Sequence, residues 1–137
     1  MADTQAKPVP VPDGISRPYW EGANLGEFRY QRCGACGKAQ SYARNACVHC
    51  HATDLQWHKA AGGGRIASFS VIHRAPLAAF AGDTPYVLAL VDLDEGLRFM
   101  CNVLRCDPAQ VCIGMAVRVC FESRPCSEQK IPQVEPA

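Results

Sequence analysis

Cys33-Gly34-Ala35-Cys36-Gly37 and Cys47-Val48-His49-Cys50, with ten residues between the two cysteine pairs, decide how this chain is read. Thiolates at the two ends of a C-x2-C turn point at one ion, and two such turns complete a tetrahedron with Zn–S bonds of about 2.3 Å. Gly37 supplies the backbone freedom that a sulfur-binding turn commonly needs. A redox C-x-x-C pair is the alternative, but it would not require a second pair at ribbon spacing. Cys33, Cys36, Cys47 and Cys50 are therefore read as ligands of a closed ribbon holding zinc or a tetrahedral iron in its place. Four thiolates leave no open position for water, so the ion is structural and its binding is linked to folding. His49 and His51 flank Cys50 and are expected to face solvent.

Length and charge bound what surrounds the ribbon. The chain has 137 residues, one domain's worth or one small module joined to another. A net charge of +1 gives no strong field toward nucleic acid or an anionic membrane. The basic residues are ten arginines and four lysines, a bias toward planar, bidentate recognition of phosphate or carboxylate. The start of the chain does not read as a signal peptide, and no run approaches the roughly 18 apolar residues that span a bilayer. A reducing cytoplasmic setting follows as the expectation. Cys101, Cys106, Cys112, Cys120 and Cys126 are then expected to be small buried hydrophobes.

Along the chain, Pro8, Pro10 and Pro12 alternate with valine, so residues 1–15 read as a flexible lead, mobile or draped on a partner. Residues 16–60 read as short helices followed by the ribbon. Ser16 is the expected N-cap, Pro18 an early helical residue, and Gly22 and Gly26 keep the helices short. Strands are expected at 28–32 and 55–57. Gly62-Gly63-Gly64 reads as a hinge between modules, since neither a Walker loop nor a dinucleotide fingerprint is completed by a following helix.

Residues 61–137 read as all β. Residues 65–73 alternate, and 86–93 (YVLALVDL) are apolar on both faces, as in a strand covered on both sides. Asp94-Glu95-Gly96 turns that strand into 97–104. Asp107-Pro108-Ala109-Gln110 is a capped helical turn, with Val111 and Ile113 expected to pack inward. Residues 115–122 alternate again, and a short strand is expected at 131–134. Five strands with a helical turn between the third and fourth have the order of an oligonucleotide/oligosaccharide-binding (OB) barrel. The expected class is thus mainly β: short N-terminal helices, a zinc ribbon and a five-stranded OB-fold barrel.

These stretches resemble a known family. Tyr19-Trp20 with Gly26, the segment 31–37, Ala43-Arg44, the second knuckle and Trp57 match its ribbon part. Gly62-Gly63-Gly64 through Val71, Arg74-Ala75-Pro76, Pro85-Tyr86-Val87, the segment 93–98 and the segment 113–117 match its barrel. The chain is similar, over about residues 18–134, to the rubredoxin-like zinc-ribbon/OB-fold proteins long labelled a domain of unknown function, which accompany thiolase-like enzymes in acyl-CoA metabolism. Two departures stand out: Tyr42-Ala43-Arg44 lacks the usual central proline, and Arg65 stands where smaller or β-branched residues are usual.

The resemblance implies a non-catalytic accessory subunit. It would dock on a thiolase-like or lipid-transfer-protein-like catalytic partner and help hold an acyl-CoA for aldol or Claisen chemistry or acyl transfer. CoA carries phosphates that guanidinium forks match, making Arg44, Arg65, Arg74 and Arg98 candidates for them. Tyr19, Trp20 and Tyr86 are candidates for packing on the partner or the pantetheine arm. The bland reading of the arginines is exposed pairing with carboxylates, and of Trp20 packing in the ribbon's own core. No G-x-S-x-G or H-E-x-x-H motif supplies catalytic machinery. The competing function is single-stranded nucleic-acid binding, which both ribbons and OB barrels perform elsewhere. The weak charge and the sparse aromatics expected on strands two and three disfavour it. Catalysis by the lone chain ranks last.

Overall fold

The computed structural model describes residues 6–137; the first five residues of the proline-alternating lead lie outside them. One α-helix, α1 (Arg17–Asn24), opens the regular structure. Ser16 stands at its N-cap without a side-chain cap bond. The capping turn is instead made by Asp13, whose carboxylate accepts from the Ile15 and Ser16 backbone N–H groups. Pro18 falls in the first turn, where a missing N–H costs nothing.

Three short strands follow: β1 (Arg29–Cys33), β2 (Ala39–Gln40) and β3 (Leu55–Lys59), in the antiparallel order β2-β1-β3. The barrel strands are β4 (Gly63–Ile72), β5 (Tyr86–Leu93), β6 (Arg98–Asn102), β7 (Ala116–Arg124) and β8 (Ser127–Pro136). Their order is β6-β5-β4-β7-β8. The ends of this sheet meet where Val103 bridges Val134 in parallel and the Leu104 N–H donates to the Val134 carbonyl at 2.8 Å. This nearly closes the sheet and leaves little free edge. A 3-10 turn at Pro108–Gln110 joins β6 to β7, capped by the Asp107 carboxylate accepting from Ala109. A second 3-10 turn, Ala78–Asp83, stands between β4 and β5 and has no counterpart in the sequence reading.

Several expectations need correction. The glycine triplet is not a loose hinge: Gly63 and Gly64 open β4. A Cβ on Gly64 would lie 2.6 Å from the Asp92 carbonyl, and one on Gly63 2.7 Å from the Asp94 carboxylate, while Gly62 has φ +99°. The glycines allow close backbone approach and one left-handed residue. Ile113 is 71% exposed, because the chain turns outward toward Gly114 (φ +85°) after burying Val111. Cys112 and Cys126 are exposed and Cys106 and Cys120 half-buried, leaving Cys101 alone of the five in the core. On β5 only one face is fully buried, through Val87, Ala89, Val91 and Leu93, since a barrel strand has an outer side. The last strand is longer than expected because β7 and β8 pair from Val117↔Pro136 to Arg124↔Ser127.

One core runs through both parts. Phe28, Tyr30, Ala39 and Ala60 join Ile66, Val91, Phe99, Val117 and Val134 in a single buried cluster. The rings of Phe28 and Phe99 lie 4.7 Å apart across the junction. Helix α1 rests on β8, where Asn24 accepts from the Lys130 N–H at 2.9 Å and Gln129 donates to the Trp20 carbonyl. No helix among the described residues is long and apolar enough to cross a membrane.

Candidate metal centre and ligand clefts

Two tight turns bring the four thiols together. In the first, the Gly37 N–H donates to the Cys33 carbonyl at 2.9 Å, and in the second the His51 N–H donates to that of Cys47 at 2.9 Å. The residue after each second cysteine is left-handed: Gly37 at φ +75° and His51 at φ +66°. His51 therefore holds in the second knuckle the conformation that glycine supplies in the first. Its position after Cys50 was the signal for that role.

Cys33 Sγ lies 3.6 Å from Cys50 Sγ, Cys36 Sγ lies 3.6 Å from Cys47 Sγ, and all four sulfurs fall within 4.8 Å of one another. A tetrahedron with Zn–S bonds of about 2.3 Å has edges of roughly 3.8 Å, so the donor set fits zinc. Backbone N–H groups point at the sulfurs: Ala35 and Cys36 toward Cys33, His49 toward Cys47. The Cys47 thiol is pushed down to about 6, first by the Cys50 backbone N–H and against desolvation, with the His49 N–H assisting. The Cys33 thiol is lowered too, first by the Cys36 backbone N–H, whereas Cys50, against the Ala52 backbone N–H, is pushed up to about 11 by desolvation and its thiol neighbours; metal binding requires thiolate. His49 and His51 are both exposed, as expected.

Two buried glutamines fix the loop between the knuckles. Gln31 accepts from Gln40 at 2.7 Å and from the Arg44 N–H at 3.0 Å, and donates to the Arg44 carbonyl at 3.0 Å. Gln40 accepts from the Val48 N–H at 2.9 Å. Ser41 donates to the Arg98 carbonyl at 2.6 Å, and the Tyr42 hydroxyl accepts from the Met100 N–H at 3.1 Å. The loop is thereby pinned to the barrel's β6.

The candidate contact residues separate into distinct places. Arg44 and Arg98 share a cleft of about 320 Å³ between ribbon and barrel, with Tyr42, Val48 and His49. Arg98 forks onto the Asp92 carboxylate at 2.6 and 3.0 Å, which holds that carboxyl below its usual value. Arg65 is exposed and donates to the Gly114 carbonyl at 2.9 Å. Arg74 is exposed just past the end of β4. Tyr19 packs edge-on against Trp20 and Phe28, and burial pushes its phenol well up. Trp20 is half-buried, and its backbone carbonyl accepts from Gln129 of β8.

Tyr86 lies elsewhere, lining a cavity of about 470 Å³ on the barrel. Its other walls include Lys7, Phe80, Arg105 and Arg124, none of which was singled out from sequence. Nothing in their spacing announces them, because they come from the lead, a 3-10 turn and two loop or strand ends.

A four-thiolate ribbon sharing its core with a nearly closed five-stranded barrel defines a zinc-ribbon/OB-fold protein. Comparison with known proteins carries this further. Residues 20–56 match the family described as the ChsH2 rubredoxin-like zinc ribbon domain, and residues 57–122 the ChsH2 C-terminal OB-fold domain. A DUF35 domain-containing scaffold protein of Methanothermobacter thermautotrophicus is 37% identical over 91 residues, covering 66% of this chain and 68% of that protein. The chain belongs to this zinc-ribbon/OB-fold family.

A solved chain described as the Ltp2-ChsH2(DUF35) aldolase superposes with a TM-score of 0.81 at 32% identity, covering 93% of this chain and 98% of that one. The 3-oxo-4,17-pregnadiene-20-carboxyl-CoA hydratase alpha subunit of Mycobacterium tuberculosis is 34% identical over 119 residues. A probable enoyl-CoA hydratase alpha subunit of Thermomonospora curvata is 35% identical over 111 residues. The chain spans about a third of these two subunits, 37% and 34% of their lengths.

Proposed function

We propose that this protein is an accessory subunit that docks on a thiolase-like or lipid-transfer-protein-like catalytic partner and helps hold an acyl-CoA for carbon–carbon bond chemistry or acyl transfer. The observation that carries the reading is the near-complete superposition on the ChsH2(DUF35) chain of an aldolase assembly. Relatives described as a scaffold protein and as alpha subunits of CoA hydratases agree with a supporting role. The chemistry of the metal agrees too, since four sulfur donors leave zinc no open position for a substrate. The ion would be held by Cys33, Cys36, Cys47 and Cys50 and would supply folding energy.

Of the arginine candidates, Arg44 and Arg98 share one cleft, and we assign them to the phosphates of CoA. Arg65, Arg74, Trp20 and Tyr86 are assigned to outer contacts with the partner or the pantetheine arm. Tyr19 supports Trp20 from the core side.

The decisive experiment is reconstitution. Co-expression with a thiolase-like protein from the same genome is expected to give a stable complex that turns over acyl-CoA, while the purified single chain gives none. Full turnover by the single chain, or failure to associate with any such partner, overturns the role. Arg44→Glu is expected to raise the complex's KM for acyl-CoA with little change in kcat.

A further inference from the structure

The four thiols are not equivalent. Cys33 and Cys47, the first cysteine of each knuckle, are each 1% exposed. Backbone N–H groups donate to both sulfurs, those of Ala35 and Cys36 to Cys33 and that of His49 to Cys47. Cys36 and Cys50, the second of each knuckle, are exposed. So are their neighbours, since every residue of 34–38 and 48–51 is open to solvent. A thiolate in reach of a reagent is a nucleophile, whereas a buried one is inert. A small oxidant therefore meets the second sulfur of each knuckle first.

The close sulfur contacts run between the knuckles. Cys36 Sγ lies 3.6 Å from Cys47 Sγ, and Cys50 Sγ lies 3.6 Å from Cys33 Sγ. Each exposed sulfur thus has a buried one of the other knuckle beside it.

We propose that Cys36 and Cys50 are sites of oxidation by hydrogen peroxide, each closing a disulfide across the knuckles, Cys36 to Cys47 and Cys50 to Cys33. The exposed thiolate attacks the peroxide; an S–O bond forms, the O–O bond breaks and hydroxide leaves, giving a sulfenic acid. The buried thiolate then attacks that sulfur; the S–S bond forms, the S–O bond breaks and a second hydroxide leaves. Two protons from solvent turn the hydroxides into water, so each disulfide reduces one peroxide by two electrons. One such disulfide leaves too few donors for a tetrahedral ion, and loss of the metal removes the energy that folds the ribbon. Arg44 lies on the loop between the knuckles, so the cleft it shares with Arg98 is lost with the ribbon. The oxidation itself requires only the four-thiolate centre and not the docking role.

The test uses the zinc-loaded full chain carrying Cys112→Ser and Cys126→Ser, because those exposed barrel thiols would otherwise compete. Iodoacetamide at less than one equivalent is expected to label Cys36 and Cys50 about tenfold more than Cys33 and Cys47. Hydrogen peroxide is expected to release zinc to a chelating dye in step with disulfide formation. Trypsin, cutting after Arg32, Lys38, Arg44 and Lys59, places the two knuckles on separate peptides, 33–38 and 45–59. Mass spectrometry is expected to find these peptides joined, with fragmentation assigning Cys36 to Cys47 and Cys50 to Cys33. A thiol reductant with added zinc is expected to restore the metal. Equal labelling of all four cysteines, disulfides confined within a knuckle, linkage of Cys36 to Cys50, or zinc retained in excess peroxide overturns the proposal.

Discussion

Ribbon and barrel bury different materials. Of the seven largest side chains with under 2% exposure, five are aliphatic and lie in the barrel: Ile66, Val87, Val91, Val117 and Val134. The other two are Cys33 and Cys47 of the ribbon. Three of the four buried polar residues among those described, Gln31, Gln40 and Ser41, also lie in or beside the ribbon sheet. A module of strands five, two and five residues long cannot bury enough apolar surface to stand alone. It substitutes metal–sulfur bonds and a side-chain hydrogen-bond network, and leans Phe28 and Tyr30 into the barrel's core.

This contrast is open to attack at several points. The largest effect is expected from the metal. Structural zinc in such modules contributes about 10–16 kcal/mol, so Cys47→Ser or chelation is expected to unfold the ribbon. Hydrogen exchange should show amides of residues 29–59 losing protection well before those of 86–93. Elemental analysis should find one zinc per parent chain. Equal loss of protection in both parts would end the distinction.

Next comes the barrel core. Ile66→Ala is expected to cost about 3 kcal/mol in denaturant unfolding while leaving zinc content unchanged. Gln40→Ala should behave in the opposite manner. It strips a partner from Gln31 and from the Val48 N–H, at about 2 kcal/mol, and is expected to speed zinc loss to a chelator. Gly64→Ala is expected to destabilise by about 1–3 kcal/mol through backbone displacement, because its Cβ would meet the Asp92 carbonyl. Thermal melts would read this directly.

The smallest effect is electrostatic and lies on the barrel surface. Arg98 lowers the Asp92 carboxyl below its ordinary 3.8. A depressed carboxyl contributes stability above the unfolded value and loses it as pH falls through the folded one. Arg98→Gln should therefore flatten the acid limb of the stability curve below about pH 4, with neutral-pH stability almost unchanged for so exposed a pair. Acid titration monitored by circular dichroism checks the sign.

The ligand spacing C-x2-C, x10, C-x2-C, the alternation along β4 and β7, and the turns at Asp94-Glu95-Gly96 and Asp107-Pro108 were all legible in the chain. Each is a local pattern, and local backbone geometry determines it. Gly62-Gly63-Gly64 misled because composition reports freedom, whereas the structure uses absence of a side chain for strand approach. Ile113 misled because an apolar residue in a connecting loop does not say which way that loop turns, and Cys112 and Cys126 misled because residue type alone does not fix burial.

The sequence by itself therefore determined the metal ligands' spacing, the strand periods and the turn chemistry, since these depend on residues a few positions apart. Only the tertiary structure decided that Arg44 meets Arg98 in one cleft, that Gln31 and Gln40 pin the inter-knuckle loop, and that Lys7, Phe80, Arg105 and Arg124 surround one cavity. Those groups are separated by up to more than a hundred residues and are brought together by barrel closure and the shared core, which no short-range pattern encodes.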